Sequence, residues 1–169
     1  MKLTPLRDID KSWPALKSQW QAECSALKED FSTFAVGTFG ALNSLAAQDT
    51  EKSGLYGLQT KSGYDAFCQV NRLLSAKFDG PLLRARFVTV SPRYDFGQQS
   101  MAEYGQVLVT LFSGAVWLAG TEQPARHVRF HLRSPADGQF FHGISAALAS
   151  SPFSQFGIQG SWIECSLRD

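Results

Sequence analysis

The chain is poor in cysteine, in net charge and in long apolar runs, and each shortage removes a class of protein. Its three cysteines, Cys24, Cys68 and Cys165, are odd in number and far apart. No pair has the spacing of a zinc site or a redox motif. They read as buried free thiols, which suits a reducing, cytoplasmic setting. Sixteen basic residues against fifteen acidic leave a net charge of +1, so no overall field draws in nucleic acid or an acidic membrane. The one stretch that suggests a membrane span, Tyr104 to Gly120, carries Gln106, Thr110 and Ser113 and is short for a bilayer. It reads as a buried helix. Met1 to Asp10 mixes charges among its apolar residues and has no apolar centre, which excludes a signal peptide.

What is present is a core. Hydrophobic residues make up 44% of the 169 and charged ones 18%, the balance of a single domain spanning residues 1–169 that needs neither disulfide nor metal. Trp13, Leu16, Trp20, Cys24 and Leu27 recur at steps of three and four and so share one helix face. Ser12 and Pro14 stand where a cap and first turn belong. A second helix is expected over Thr38 to Gln48. Leu55 to Thr60, Ala66 to Leu73 and Leu83 to Val90 are short, rich in aromatic and β-branched residues, and separated by turn signals at Lys61-Ser62-Gly63 and Lys77 to Pro81. They read as consecutive antiparallel strands.

Ser100 followed by Glu103 forms a capping box, and a buried helix through Val107, Leu111 and Val116 is expected after it. Arg126 to Arg133 alternates, with Val128, Phe130 and Leu132 on one face and His127, Arg129, His131 and Arg133 on the other. Ser134-Pro135-Ala136-Asp137 opens another helix with cap, first-turn proline and first-turn acid in order. Phe153 to Ile158 and Ser161 to Leu167 close the chain as two strands. A strand–helix–strand unit in this half implies a right-handed crossover and one parallel pair. The fold class is therefore α/β (α+β), a mixed, mostly antiparallel sheet flanked by about four helices.

That order of elements resembles the GNAT superfamily of acyl-CoA-dependent N-acyltransferases. Leu83 to Pro92 resembles the family's fourth strand, whose exposed backbone receives the pantetheine arm and would place Val90 at the cofactor. The following loop carries Gln/Arg-x-x-Gly-x-Gly/Ala in the family. Here it offers Arg93, then Tyr94-Asp95-Phe96, one glycine at Gly97, and Gln98-Gln99. The resemblance implies that Arg93, Gly97 and Ser100 hold the diphosphate at a helix N-terminus. The second glycine has no counterpart, and Asp95 adds a negative charge. Ser134 to Phe141 resembles Asn-x-x-Ala-x-x-Phe-Tyr, with Phe141, which has no proton to give, at the position of the acidic tyrosine.

The resemblance thus implies transfer from acetyl-CoA or another acyl-CoA to a small-molecule or peptide amine, with no metal. The alternative is a catalytically inactive GNAT-like domain that senses a ligand or binds a protein. Among the residues themselves, His131 is the candidate base for deprotonating an amine, and Tyr94 the candidate catalytic group in the loop. Tyr64, Asn71 and Arg129 are candidate substrate contacts. Arg84 and Arg86 alternate with apolar neighbours and share a face with Val88 and Val90, while Phe87 and Phe130 lie on the opposite faces of their strands. If that strand lies beside the one carrying Arg129, a basic groove results. His127 and His131 are about 13 Å apart on a strand, too far to share an ion. No Ser-His-Asp arrangement with a local signature is present. Exposed edge strands at the chain's end need a cover, and a second copy is one way to supply it.

Overall fold

The computed structural model describes residues 3–48, 53–149 and 153–168, so Met1 and Lys2 of the first segment lie outside them. The elements are β1 (Leu3–Leu6), α1 (Ser12–Leu27), α2 (Val36–Ala46), β2 (Ser53–Thr60), β3 (Gly63–Leu74), β4 (Pro81–Val90), α3 (Pro92–Asp95), α4 (Met101–Gly120), β5 (His127–His131), α5 (Pro135–Ala149), β6 (Phe153–Gln159) and β7 (Trp162–Leu167). The strands form one sheet in the order β1-β2-β3-β4-β5-β7-β6. Every neighbouring pair is antiparallel except β4 and β5, which run parallel and are joined by the crossover through α4.

Two elements lie outside the expectation, β1 and the single turn α3. β1 is four residues long with Pro5 inside it, and nothing in its composition announces a strand. It survives because it is an edge: one side pairs with β2 from Leu3↔Leu58 to Leu6↔Leu55, and a proline is tolerated where no further strand asks for its N–H. α1 begins as expected, but its cap differs. Lys11 takes the left-handed conformation and contributes no capping side chain. The Ser12 hydroxyl instead accepts from the Arg7 N–H at 2.8 Å, while Asp10 accepts from the Ser12 N–H at 2.9 Å.

The sheet carries an apolar cluster on each face. Trp13, Leu16, Trp20 and Cys24 of α1, with Phe39 and Leu42 of α2, pack on Leu55, Phe67 and their neighbours. On the other face α4 brings Val107, Leu108, Leu111, Phe112, Ala115 and Leu118 against Ala66, Val70, Leu83 and Phe130. All three cysteines are free and buried. Among the described residues no helix is long and apolar enough to cross a membrane.

Gly114 of α4 faces Leu3 of β1 so closely that a Cβ there would stand 2.5 Å from Leu3 Cγ. Gly114→Val should therefore push the edge strand off the helix. A loss of about 1–3 kcal/mol in urea unfolding is expected, typical of overpacking. A neutral result would mean that β1 yields without cost.

Candidate functional site

The site begins with a break in alternation. β3 and β4 pair in one register at Gln69↔Arg86 and in another at Phe67↔Thr89, so β4 holds one extra residue at this point. Phe87 absorbs it with φ 51°, a left-handed conformation that a bulky side chain rarely takes. The bulge reverses the faces downstream. Val88 and Val90 join Leu83 and Ala85 in the cluster under α4, whereas Phe87 turns to the α1–α2 side with Arg86. Arg84 and Arg86 therefore do not share a face with Val88 and Val90, and Phe87 does not lie opposite the arginines. The extra residue overturns both expectations.

The same bend parts two strands. The parallel pairing of β4 with β5 runs from Leu82↔His127 to Ala85↔Phe130 and stops. β4 continues to Val90 with no strand of the described residues beside it on that edge. Arg86 and His131 would form the next level and instead stand on opposite lips of the opening. A cavity of about 380 Å³ fills the split, lined by Arg86, Phe87, Thr89, His131, Arg133 and Trp162 among others. That volume lies within the range of small-molecule sites. Ala35, at the start of α2, also lines it and has φ 48°. Two strained non-glycine residues thus border one cavity, and such strain concentrates where the surroundings hold a site in shape.

The basic groove expected from the sequence is present on the α1–α2 face. In register across four strands stand Asn71, Arg84, Arg129 and Glu164. Arg84 donates to Asn71 Oδ1 at 3.2 Å, and Arg86 to Gln69 Oε1 at 3.0 Å, both neutral acceptors. Arg129 lies over the Trp162 ring at 4.5 Å and pairs with Glu164 at 2.9 Å. Lys77 takes the other oxygen of that carboxylate, also at 2.9 Å. Lys77 and Arg129 therefore share one carboxylate, while Arg84 and Arg86 on the same face are bonded to neutral amides. Burial, with Arg86 and Arg129 nearby, lowers the pKa of Arg84. His131 packs edge-on against Trp162 at 4.7 Å, with the Ser161 hydroxyl 3.3 Å from its Nε2. Burial and then the charge of Arg86 lower its pKa, which favours the uncharged imidazole near neutral pH.

Of the residues singled out in the sequence, Arg86 and His131 line the cavity, and Asn71, Arg84 and Arg129 are in the groove behind it. The rest lie elsewhere. Arg93 pairs with Asp65 and donates to the Ser62 hydroxyl at 3.2 Å; the Tyr94 phenol reaches the same carboxylate at 3.3 Å. These contacts tie the turn after β4 to the β2–β3 hairpin. Tyr64 is buried against α1, and its backbone exchanges hydrogen bonds with Gln19 and Trp20. Val90 is fully buried beneath α4. Phe141 is likewise in the core, packed on Phe112 and Phe130.

The turn after β4 does not form an open loop. Pro92–Asp95 is one helical turn, and the backbone N–H groups from Tyr94 to Gln98 are all spent on backbone carbonyls between Ser91 and Tyr94. Gly97, at φ 72°, closes it. At the start of α4 the Ser100 N–H is given to Glu103 at 2.9 Å, and the Ser100 hydroxyl accepts from the Glu103 N–H, as the capping box predicts. Hydrogen bonds from Ser100 hold the Glu103 carboxyl below its usual range, so a negative charge persists there. Asp95 is bridged to Arg133 at 2.8 Å, which joins the segments that follow the two lips.

One further constellation had no sequence signature. The His127 ring stands between Ser166 Oγ at 2.8 Å and Asp79 Oδ1 at 2.7 Å. The three come from two strands and a turn, which explains why spacing concealed them. The carboxylate, also paired with Arg126 at 3.2 Å, is on the open side, whereas the serine is buried. The hydrogen bond from His127 and the charge of Arg126 lower the pKa of Asp79. This arrangement clamps the β3–β4 turn to β5.

No family profile matches the chain, and no curated protein sequence matches it. Solved structures do. A "probable acetyltransferase" from Staphylococcus epidermidis superposes over 98% of this chain and 96% of its own, at 10% identity and a TM-score of 0.52. An acyl-CoA N-acyltransferase from Pseudomonas aeruginosa (98% and 97% covered, 10% identity, TM-score 0.40) and the PaiA N-acetyltransferase from Thermoplasma acidophilum in complex with coenzyme A (99% and 98%, 9%, 0.40) align over similar lengths. At such identity the first likeness is one of fold.

Proposed function

We propose that this chain, which has a GNAT-like fold, uses the β4–β5 cleft to bind a small ligand as a sensing member of that fold, without acyl-CoA as cofactor. One observation carries the reading: the turn after β4. A diphosphate at a helix N-terminus needs several free N–H donors and no competing anion. Here five successive N–H groups are already bonded within the turn. The α4 start is occupied by its own glutamate, and the two nearby arginines, Arg93 and Arg133, are committed to Asp65 and Asp95. The residues present do not fit the diphosphate of coenzyme A. The cleft, by contrast, is open and lined by polar and apolar groups together.

The test is a thermal titration with coenzyme A and acetyl-CoA up to millimolar concentration. A ligand confined to the folded state at about 100 times its Kd would stabilise it by about 2.7 kcal/mol. No shift in Tm is expected. A saturable rise with either compound would overturn the proposal.

A second reading, N-acyl transfer to a small-molecule or peptide amine, is favoured by one feature of the cleft. Its lip carries His131, whose lowered pKa leaves a proton acceptor at neutral pH. Thiol release from acetyl-CoA in the presence of amines, abolished by His131→Ala, would support it over the first.

A further inference from the structure

Arg86 is the cation that lines the cleft without an acidic partner among the described residues. Its one acceptor among those residues is the neutral Gln69 amide at 3.0 Å, and its Nε is buried with no acceptor among them. A guanidinium offers five donors in a planar fork. Leaving a buried donor of this kind unmatched is costly, and a charged one more so. Within the same cavity Arg133 is neutralised by Asp95, and His131 offers no charge that would satisfy a cation. Arg84, behind Arg86, is also bonded to an amide, so neither of the pair is bonded to a carboxylate among the described residues. The remaining wall is largely apolar, with Phe87, Val88, Trp162 and Ala35.

We infer that the cleft takes a small carboxylate with an apolar body, the carboxylate on the Arg86 guanidinium and the body against Phe87 and Trp162. The planar fork matches a carboxylate through two parallel hydrogen bonds, which a lysine could not reproduce. A body with apolar surface is needed because a fully hydrated anion would leave the aromatic wall wet. This rests on the reading of the β4–β5 cleft as the ligand site and specifies the chemistry of its occupant.

The experiment is a titration of the full chain, followed by backbone amide shifts in ¹⁵N spectra, with phenylacetate and hexanoate, their neutral amides, and inorganic phosphate. The carboxylates should move the amides of residues 86–89, 131 and 162 and bind at least about tenfold tighter than the neutral amides, the loss expected when a charged hydrogen-bond pair is removed. Arg86→Gln should weaken the carboxylates by about tenfold or more and leave the neutral amides unchanged. Arg84→Gln, outside the cavity lining, should weaken them by less than about threefold, as a long-range charge would. The dispersion of the same spectra checks that both variants fold.

Equal binding of acids and amides in the cleft would overturn the carboxylate assignment while leaving the site intact. Phosphate binding without carboxylate binding would overturn it in favour of another anion. If no probe moves a cleft amide, the site itself is wrong, which is a different failure.

Discussion

Trp20→Ala is expected to lower stability by about 3–5 kcal/mol, the cost of emptying a large aromatic site that cannot collapse. Trp20 has no exposed surface. Its ring stacks on Phe67 at 5.3 Å and meets Phe34 and Phe39 edge-on at 5.9 and 6.0 Å. Its indole N–H donates to the Tyr64 carbonyl at 2.8 Å. That carbonyl keeps a second donor, Gln19 Nε2 at 3.2 Å, so truncation does not orphan it. The loss is thus chiefly one of packing. Trp20→Phe should retain most of the stability and lose about 1 kcal/mol with the hydrogen bond. In a melt each kcal/mol corresponds to roughly 2–4 °C for a chain of this size. If the phenylalanine variant falls as far as the alanine one, the hydrogen bond and not the packing holds α1 to β3.

Asp137→Ala is expected to cost about 3 kcal/mol or more, because four donors converge on one buried carboxylate. The N–H groups of Arg133 and Ser134 reach one oxygen at 3.0 and 3.2 Å. The Ser134 hydroxyl and the Tyr104 phenol reach the other at 2.8 and 2.7 Å. The carboxylate therefore fixes the start of α5, the end of the loop after β5, and the side of α4 at once. Burial and the bond to Asp137 drive the Tyr104 pKa upward, so the phenol remains a donor at any working pH. Tyr104→Phe removes one of the four bonds and should cost about 1.5–3 kcal/mol, the range for hydrogen bonds to a charged group. Urea unfolding of the two variants decides the matter. If Asp137→Ala costs no more than Tyr104→Phe, water serves the abandoned backbone donors and the carboxylate is no hub.

Much of this could be read from residue order, and the exceptions share a cause. The α1 face, the Ser100–Glu103 capping box and the apolar side of β5 follow from rules that act within a few residues. Asp137 was recognisable as a helix-start acid by the same rules. That it also receives Tyr104, 33 positions away in the chain, was not. The bulge was hidden because its left-handed residue is a phenylalanine where a glycine would have signalled it. Alternation read through Phe87 then assigned Val88 and Val90 to the wrong face. The turn after β4 did carry a sign: Pro92 is pre-set for the first position of a helix, and it favours a closed turn over an open loop. For the cleft, alternation identified Arg84, Arg86, Arg129 and His131 as strand-face cations and a histidine. Only the register of β4 on β5, which depends on packing between distant segments, sets Arg86 level with His131 across a gap.

The lodging of Leu3 against Gly114 also has a consequence in time. β1 is synthesised before everything it packs on, and the Thr4 hydroxyl finds its carbonyl 53 positions later, on Gly57. The helix that β1 rests on is completed only at Gly120. During synthesis the first strand must wait, unpaired, for both, since contacts so far apart in the chain form late and at high entropic cost. Its brevity and its proline, unhelpful for predicting a strand, are what keep such a waiting segment from pairing with another chain first.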